Sequence, residues 1–272
     1  MKANAAAAAL LAAACALGPG PARADEPLWE LGAGLAGVRL PHYRGSDQNH
    51  GWLLPLPYAV YRGDIFRADR NGARAVLLDR PGVDLDLSAA ATAPTRSRDD
   101  RARTGMPDLA PTLELGPNLD LTLAQGERWQ VQLRLPVRAV FTAQRSPRAI
   151  GATFSPVLNL DWQLEGWNLG LQGGPQAATR AYHAYFYDVA PAYATADRPA
   201  YRAGGGAAGW HLGASASRRL GAWWVGSYVR VDSVAGAAFE PSPLVRQRSN
   251  LSFGLAVSRT LVASDQRVAD RR

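Results

Sequence analysis

The chain has 272 residues, 47% of them hydrophobic and 19% charged, with a formal net charge of +7 and a mean hydropathy of −0.17. That balance excludes a disordered or collagen-like chain, and no stretch beyond the N-terminus approaches the ~18–20 apolar residues of a helical membrane span. The basic residues are Arg except for Lys2 and lie scattered among acids rather than on one element, so a pI near 10.0 does not imply a nucleic-acid partner.

The first element in chain order has the grammar of a secretory signal. Lys2 precedes the apolar run Ala5 to Leu17, the helix-breaking Gly18-Pro19-Gly20-Pro21 follows, and Ala22-Arg23-Ala24 forms a small-x-small cleavage site. Residues 1–24 are therefore expected to be a cleaved signal peptide. Lipidation at Cys15 is the rival reading; it is opposed by Ala12, where a lipoprotein signal carries Leu, and by an apolar run that continues past the cysteine. Beyond residue 24 there is no cysteine, so an exported chain of this kind must hold together by packing and backbone pairing. A soluble periplasmic domain and an outer-membrane barrel both satisfy that condition.

Periodicity separates the two. From Arg128 to Phe141 one face reads Trp129, Val131, Leu133, Leu135, Val137, Ala139, Phe141 and the other Arg128, Gln130, Gln132, Arg134, Pro136, Arg138, an alternation that belongs to a strand. The same split recurs at 109–123, 153–164 and 250–258. The polar face carries Glu114, Asp120, Arg134, Arg138 and Asp161 in mid-strand, and a dry sandwich core would not tolerate them. The apolar face must then be the outer one, with lipid outside and a polar lumen within.

This rule predicts twelve strands, at 29–40, 51–62, 64–69, 73–80, 82–93, 109–124, 128–142, 150–164, 166–177, 207–219, 222–235 and 246–260. The weakest are the short pair around the Asn71-Gly72 hairpin signal, and without them ten remain, still an even number. The fold class is thus all-β: an antiparallel transmembrane β-barrel over residues 25–263, followed by a polar tail at 264–272. Tight connections at Arg62-Gly63-Asp64, Pro81-Gly82, Gln125-Gly126-Glu127, Glu165-Gly166 and Leu220-Gly221 alternate with long ones at 41–50, 94–108, 143–149, 178–206 and 236–245. That is the asymmetry of short periplasmic turns and longer outer loops. Trp29, Trp52, Trp129, Trp162, Trp167, Trp210, Trp223 and Trp224 near strand ends fit interfacial girdles.

Short segments in order along the chain resemble the MltA-interacting protein (MipA/OmpV) family of outer-membrane proteins. They are Trp29-Glu-Leu-Gly-Ala-Gly, Tyr43-Arg-Gly-Ser, Leu56-Pro-Tyr58-Ala-Val-Tyr-Arg-Gly63, Gly105-Met-Pro-Asp-Leu109, Leu115-Gly-Pro-Asn, Tyr187-Asp188-Val, Tyr201-Arg-Ala-Gly-Gly205 and Ser242-Pro-Leu-Val245. The resemblance implies a non-enzymatic barrel in the Gram-negative outer membrane, similar to a scaffold between a murein-degrading lytic transglycosylase and a murein synthase. Family members in stress, osmotic or antibiotic responses leave a small-solute pore as the alternative. One departure is the C-terminus, where barrels usually end on an aromatic residue and this chain runs on from Ser264 to Arg272.

No motif assigns a catalytic, cofactor-binding or metal residue. His42, His50, His183 and His211 are scattered; His42 and His50 share a loop with Asp47, and His211 stands on a lumen face with Ser215 and Ser217, but neither group has the spacing of a metal site or a triad. Gly204-Gly205-Gly206 lacks the strand-loop-helix context of a phosphate loop. The run Arg96 to Arg103 reads as an exposed loop able to meet lipopolysaccharide, and Tyr182-His-Ala-Tyr185-Phe-Tyr187 as an aromatic cap over the barrel mouth that closes the pore, with ligand binding as the alternative.

Overall fold

The computed structural model describes residues 26–62, 66–69 and 72–268. The signal segment, Asn71, and Gly63 and Asp64 of the first tight turn lie outside the described residues. Alternating sequence becomes one closed antiparallel sheet of β1 (Trp29–Pro41), β2 (Asn49–Arg62), β3 (Phe66–Asp69), β4 (Gly72–Arg80), β5 (Val83–Thr92), β6 (Thr112–Gln125), β7 (Trp129–Thr142), β8 (Ala149–Phe154 and Val157–Leu164), β9 (Trp167–Ala178), β10 (Gly206–Leu220), β11 (Trp223–Ser233) and β12 (Ser249–Ala263). Both pieces of β8 lie between β7 and β9, so the thirteen hydrogen-bonded segments are twelve strands. β12 closes on β1 from Phe253 opposite Arg39 to Ala263 opposite Glu30. Among the described residues no helix is long and apolar enough to cross a membrane.

The apolar face points outward, as the mid-strand charges require. Leu53 is 75% exposed, Leu255 67%, Leu261 63% and Leu35 57%, whereas Asp86, Asp120, Asn159, Asp161, Asn250 and Ser258 on the opposite face are buried. Leu261 and Val262 are both exposed because a bulge between Thr260 and Val262 slips the register by one residue. The break in β8 also has a chemical cause. Pro156 stands beside Pro136 of β7 and near Pro175 of β9, and these rings supply no N–H to the ladder.

Trp129 and Trp162 form a cross-strand pair on the outer face near the tight turns. Trp167 and Trp223 are exposed at the same end, with Arg218 and Arg259 each 5.6 Å over their rings. These make a girdle at the end that carries the tight turns and the termini. Trp52 and Trp224 depart from the girdle reading: Trp224 is buried in the lumen over Gly226, and Trp52 turns inward against His50. The cause is strand phase, since both occupy the alternate positions that face the interior.

The wall has one thin place. β3 pairs with β2 only at Tyr61 and Arg62, so among the described residues the upper part of β2 has a ladder to β1 alone. The polar tail, in turn, is anchored: Arg267–Val268 pairs with Glu26–Pro27, and Ser264 N–H donates to Trp29 O at 2.9 Å. Residues 269–272 lie outside the described residues.

Candidate functional site: a capped and charge-paired lumen

The lumen is built in layers by the inward-facing positions. At the periplasmic end Glu30, 2% exposed, accepts from Arg219 Nη2 at 3.0 Å, Tyr58 Oη at 3.2 Å and Thr260 Oγ1 at 3.3 Å. At mid-height Asn118 Nδ2 donates to Asp120 at 2.9 Å, Arg134 lies 4.0 Å from Asp120, and Asn159 donates to Asp161. Near the mouth Arg230 grips Asp232 in a fork, both bonds at 2.8 Å, while Arg44 Nε approaches the same carboxylate at 3.3 Å and Arg44 Nη2 donates to Ser233 O at 3.1 Å. Glu114 accepts from Thr153 Oγ1 at 3.2 Å, and Arg138 donates to Ser88 Oγ at 3.0 Å. Glu114, Asp120, Arg134, Arg138 and Asp161, the mid-strand charges that the alternation assigned to the polar face, all stand there. The Glu30–Arg219 pair was hidden from the sequence because its members are 189 positions apart and come from different ends of the chain.

Above the uppermost charged layer four of the five long connections fold into one cap, the connection 143–149 staying exposed, and the hydrophobic core of the molecule sits in this cap rather than in the barrel. Tyr43, Leu109, Phe186, Tyr187, Phe239 and Leu244 are its centre, with Tyr187 stacked on Phe239 at 3.7 Å. The segment Arg180–Tyr187, here α1, forms a short helix because Thr179 caps it and its buried face alternates at helical spacing through His183, Phe186 and Tyr187. The start of α1 lies against Gly151, whose φ of +124° only glycine adopts readily, and a Cβ there would meet Thr179 and Tyr182.

Polar bonds tie the loops together. Tyr43 Oη donates to Leu244 O at 2.8 Å, Tyr187 Oη to Arg44 O at 2.9 Å, and Ser242 Oγ to Tyr187 O at 2.8 Å. Burial drives the Tyr43 and Tyr187 hydroxyls well above the ordinary phenol range, so both remain donors. The run Arg96 to Arg103 is only half the solvated loop its charges implied. Arg98 and Arg101 are exposed, but Asp100 is wholly buried, accepting from Ser46 Oγ at 2.7 Å and paired with His42 Nδ1 at 2.9 Å; Arg103 donates to Phe186 O at 2.9 Å. Charge in the sequence could not distinguish the two roles, because both depend on which loops meet.

Between cap and charged layer lies a cavity of about 290 Å³ bounded by Tyr43, Phe186 and Phe239 above, Arg44 and Arg230 at the side, and Gly213 and Ser252 below. The histidine groups do not assemble. His42 and His50 stack at 4.0 Å, but Asp47 pairs with Arg101 at 3.1 Å instead, and among the described residues no three His, Cys, Asp or Glu side chains gather for a metal. His211 is opposite Asp232 on the lumen side, four positions up the strand from Ser215, a separation of roughly 13 Å at the usual rise. His183 Nδ1–H donates to Gly204 O at 2.7 Å within the cap.

This arrangement defines a class: an antiparallel twelve-stranded transmembrane β-barrel with a polar lumen and a folded outer cap. A model of the family described as MltA-interacting protein MipA matches residues 33–261, nearly the whole barrel. The chain belongs to that family, and it is an outer-membrane barrel. No curated protein sequence gives a significant match. Among solved structures it is similar to an outer-membrane channel of the COG4313 group from Pseudomonas putida F1, at 15% identity over 90% of this chain and 100% of that one, with a TM-score of 0.43. A porin (11% identity, 86% of this chain and 100% of that one, TM-score 0.34) and the CymD monoaromatic hydrocarbon channel (9%, 88% and 89%, TM-score 0.35) are looser likenesses.

Proposed function

We propose that the protein is a non-enzymatic interaction barrel, exported by a signal peptide at residues 1–24, which displays its periplasmic face to enzymes of murein metabolism. The observation that carries this reading is the obstructed lumen: Glu30 and Arg219 pair across the interior, Asp120 with Arg134 and Asp232 with Arg230 fill two further layers along the wall, and a hydrophobic cap covers the mouth. An interior filled in this way supports a structural wall more than a conduit. The family is described by its interaction with the lytic transglycosylase MltA, which makes a lytic transglycosylase the first partner to test and a murein synthase the second. The contact surface would be the paired segments Glu26–Pro27 and Arg267–Val268 and the tight turns around them.

The test captures a lytic transglycosylase with the intact protein and with a form truncated after Ala263, and records both forms in planar bilayers. Retention by the intact barrel, loss on truncation and no conductance steps are the expected results. Stable steps together with failure to retain the enzyme would replace the scaffold by a small-solute pore, the second reading, favoured by the cavity at the mouth. Retention by both forms would move the contact from the tail to the turns.

A further inference from the structure

The cavity beneath the cap combines features that a scaffold does not need. Its roof is aromatic, from Tyr43, Phe186 and Phe239, and its side holds two guanidinium groups against one carboxylate, Arg44 and Arg230 against Asp232. Arg230 donates through Nε and Nη2 to Asp232, and Arg44 through Nη2 to Ser233 O, but Arg44 Nε, 3.3 Å from Asp232, is buried without a hydrogen-bond partner. The hydroxyl of Tyr228, which also lines the cavity, is buried without a hydrogen-bond partner. Buried donors without acceptors cost free energy, and they concentrate where a ligand supplies the missing oxygen. Glu114 offsets this positive charge only in part, since it does not line the cavity and acts on Arg138 more strongly than on Arg230.

We propose that this cavity is a binding site for a small organic monoanion with a flat apolar body, the anionic end on Arg44 and Arg230 and the body under the aromatic roof. The volume, about 290 Å³, admits a single ring with a carboxylate and little more. Entry need not pass through the cap. Leu40 and Pro41 at the end of β1 and Ala91 and Thr92 at the end of β5 line the cavity, and the wall between those two strands is the part that the short β3–β4 hairpin leaves thin. The site stands whether or not the periplasmic face is a scaffold, because it lies at the opposite end of the barrel.

Benzoate is the probe, titrated calorimetrically into the purified protein in detergent, with benzyl alcohol as the neutral analogue and acetate as the anion without a ring. Benzoate is expected to bind saturably at one site and at least about tenfold more tightly than either control, the difference a desolvated charge pairing supplies. Gly213→Leu fills the cavity, since a Cβ there meets nothing nearer than 3.5 Å, and it should weaken benzoate about tenfold or more while the barrel stays heat-modifiable. Arg44→Met should weaken benzoate and leave benzyl alcohol within about twofold. If Arg44→Met does not fold, Gly213→Leu decides alone. No saturable binding of benzoate, equal affinity for benzyl alcohol, or unchanged benzoate binding in Gly213→Leu would each overturn the proposal.

Discussion

At the residue scale the lumen charges work in sets, so removing one member does more harm than its single bond implies. Asp232, with its side chain 6% exposed, serves both Arg230 and Arg44. Asp232→Asn would leave two partly buried guanidinium groups facing each other, at a cost of about 3 kcal/mol. Urea titration of the folded barrel should show the corresponding drop in midpoint, and an unchanged midpoint would mean that water already screens the cluster. His183 makes the cap sensitive to acid. Burial holds its imidazole below the ordinary value of 6.5, against the opposing pull of the Gly204 carbonyl and with the help of nearby Arg44. A folded pKa held below the unfolded one contributes stability that is complete above about pH 6.5 and declines as pH falls below it, because the opened cap takes up a proton that the closed cap refuses. Protection factors at residues 183–189, which correct for the intrinsic slowing of amide exchange in acid, should therefore fall from pH 7 to pH 5, and the His183→Gln protein should lack that trend.

Among the elements, the β3–β4 hairpin and the two-piece β8 show where the ladder yields. Along β2 every second amide in the stretch Gly51 to Pro57 points away from β1, and on that side the described residues offer no strand. Those amides are expected to exchange much faster than their neighbours bonded to β1, an alternation that mass-resolved exchange of the folded protein in detergent would reveal. Uniform protection through β2 would mean that the wall is complete there. The twelve predicted strands matched the observed ones to within about three residues at nearly every end, since each strand carries its own record of which face meets lipid. The break at Ser155-Pro156 was not legible, because Pro156 fits the outward alternation and only its neighbours Pro136 and Pro175 turn it into a gap in the ladder.

Over the whole molecule the distribution of apolar surface is inverted relative to a water-soluble protein. Large aliphatic side chains are exposed around the wall, while the buried apolar cluster is confined to the cap. The protein should thus fractionate with outer membranes and run faster on gels unheated than boiled, the behaviour of a closed sheet that detergent alone does not unfold. Identical mobility with and without heating, together with recovery from the soluble periplasm, would contradict the fold.

The sequence by itself determined the class, the inward and outward faces, the alternation of tight and long connections and ten of the twelve strands, because each follows from a period-two pattern read within a dozen residues; the short β3–β4 pair was settled by the structure. It also marked Tyr182 to Tyr187 as a segment that must be covered. Only the tertiary structure decided which charges meet and what the long loops become. Glu30 finds Arg219, Asp100 finds His42 and Ser46, and Tyr187 finds Arg44 across separations of 54 to 189 residues, with none of these partners marked by local pattern. A lipid-facing side chain answers to one uniform solvent, so its identity can be read alone. A lumen or cap side chain answers to a particular neighbour, and that neighbour exists only once the barrel has closed.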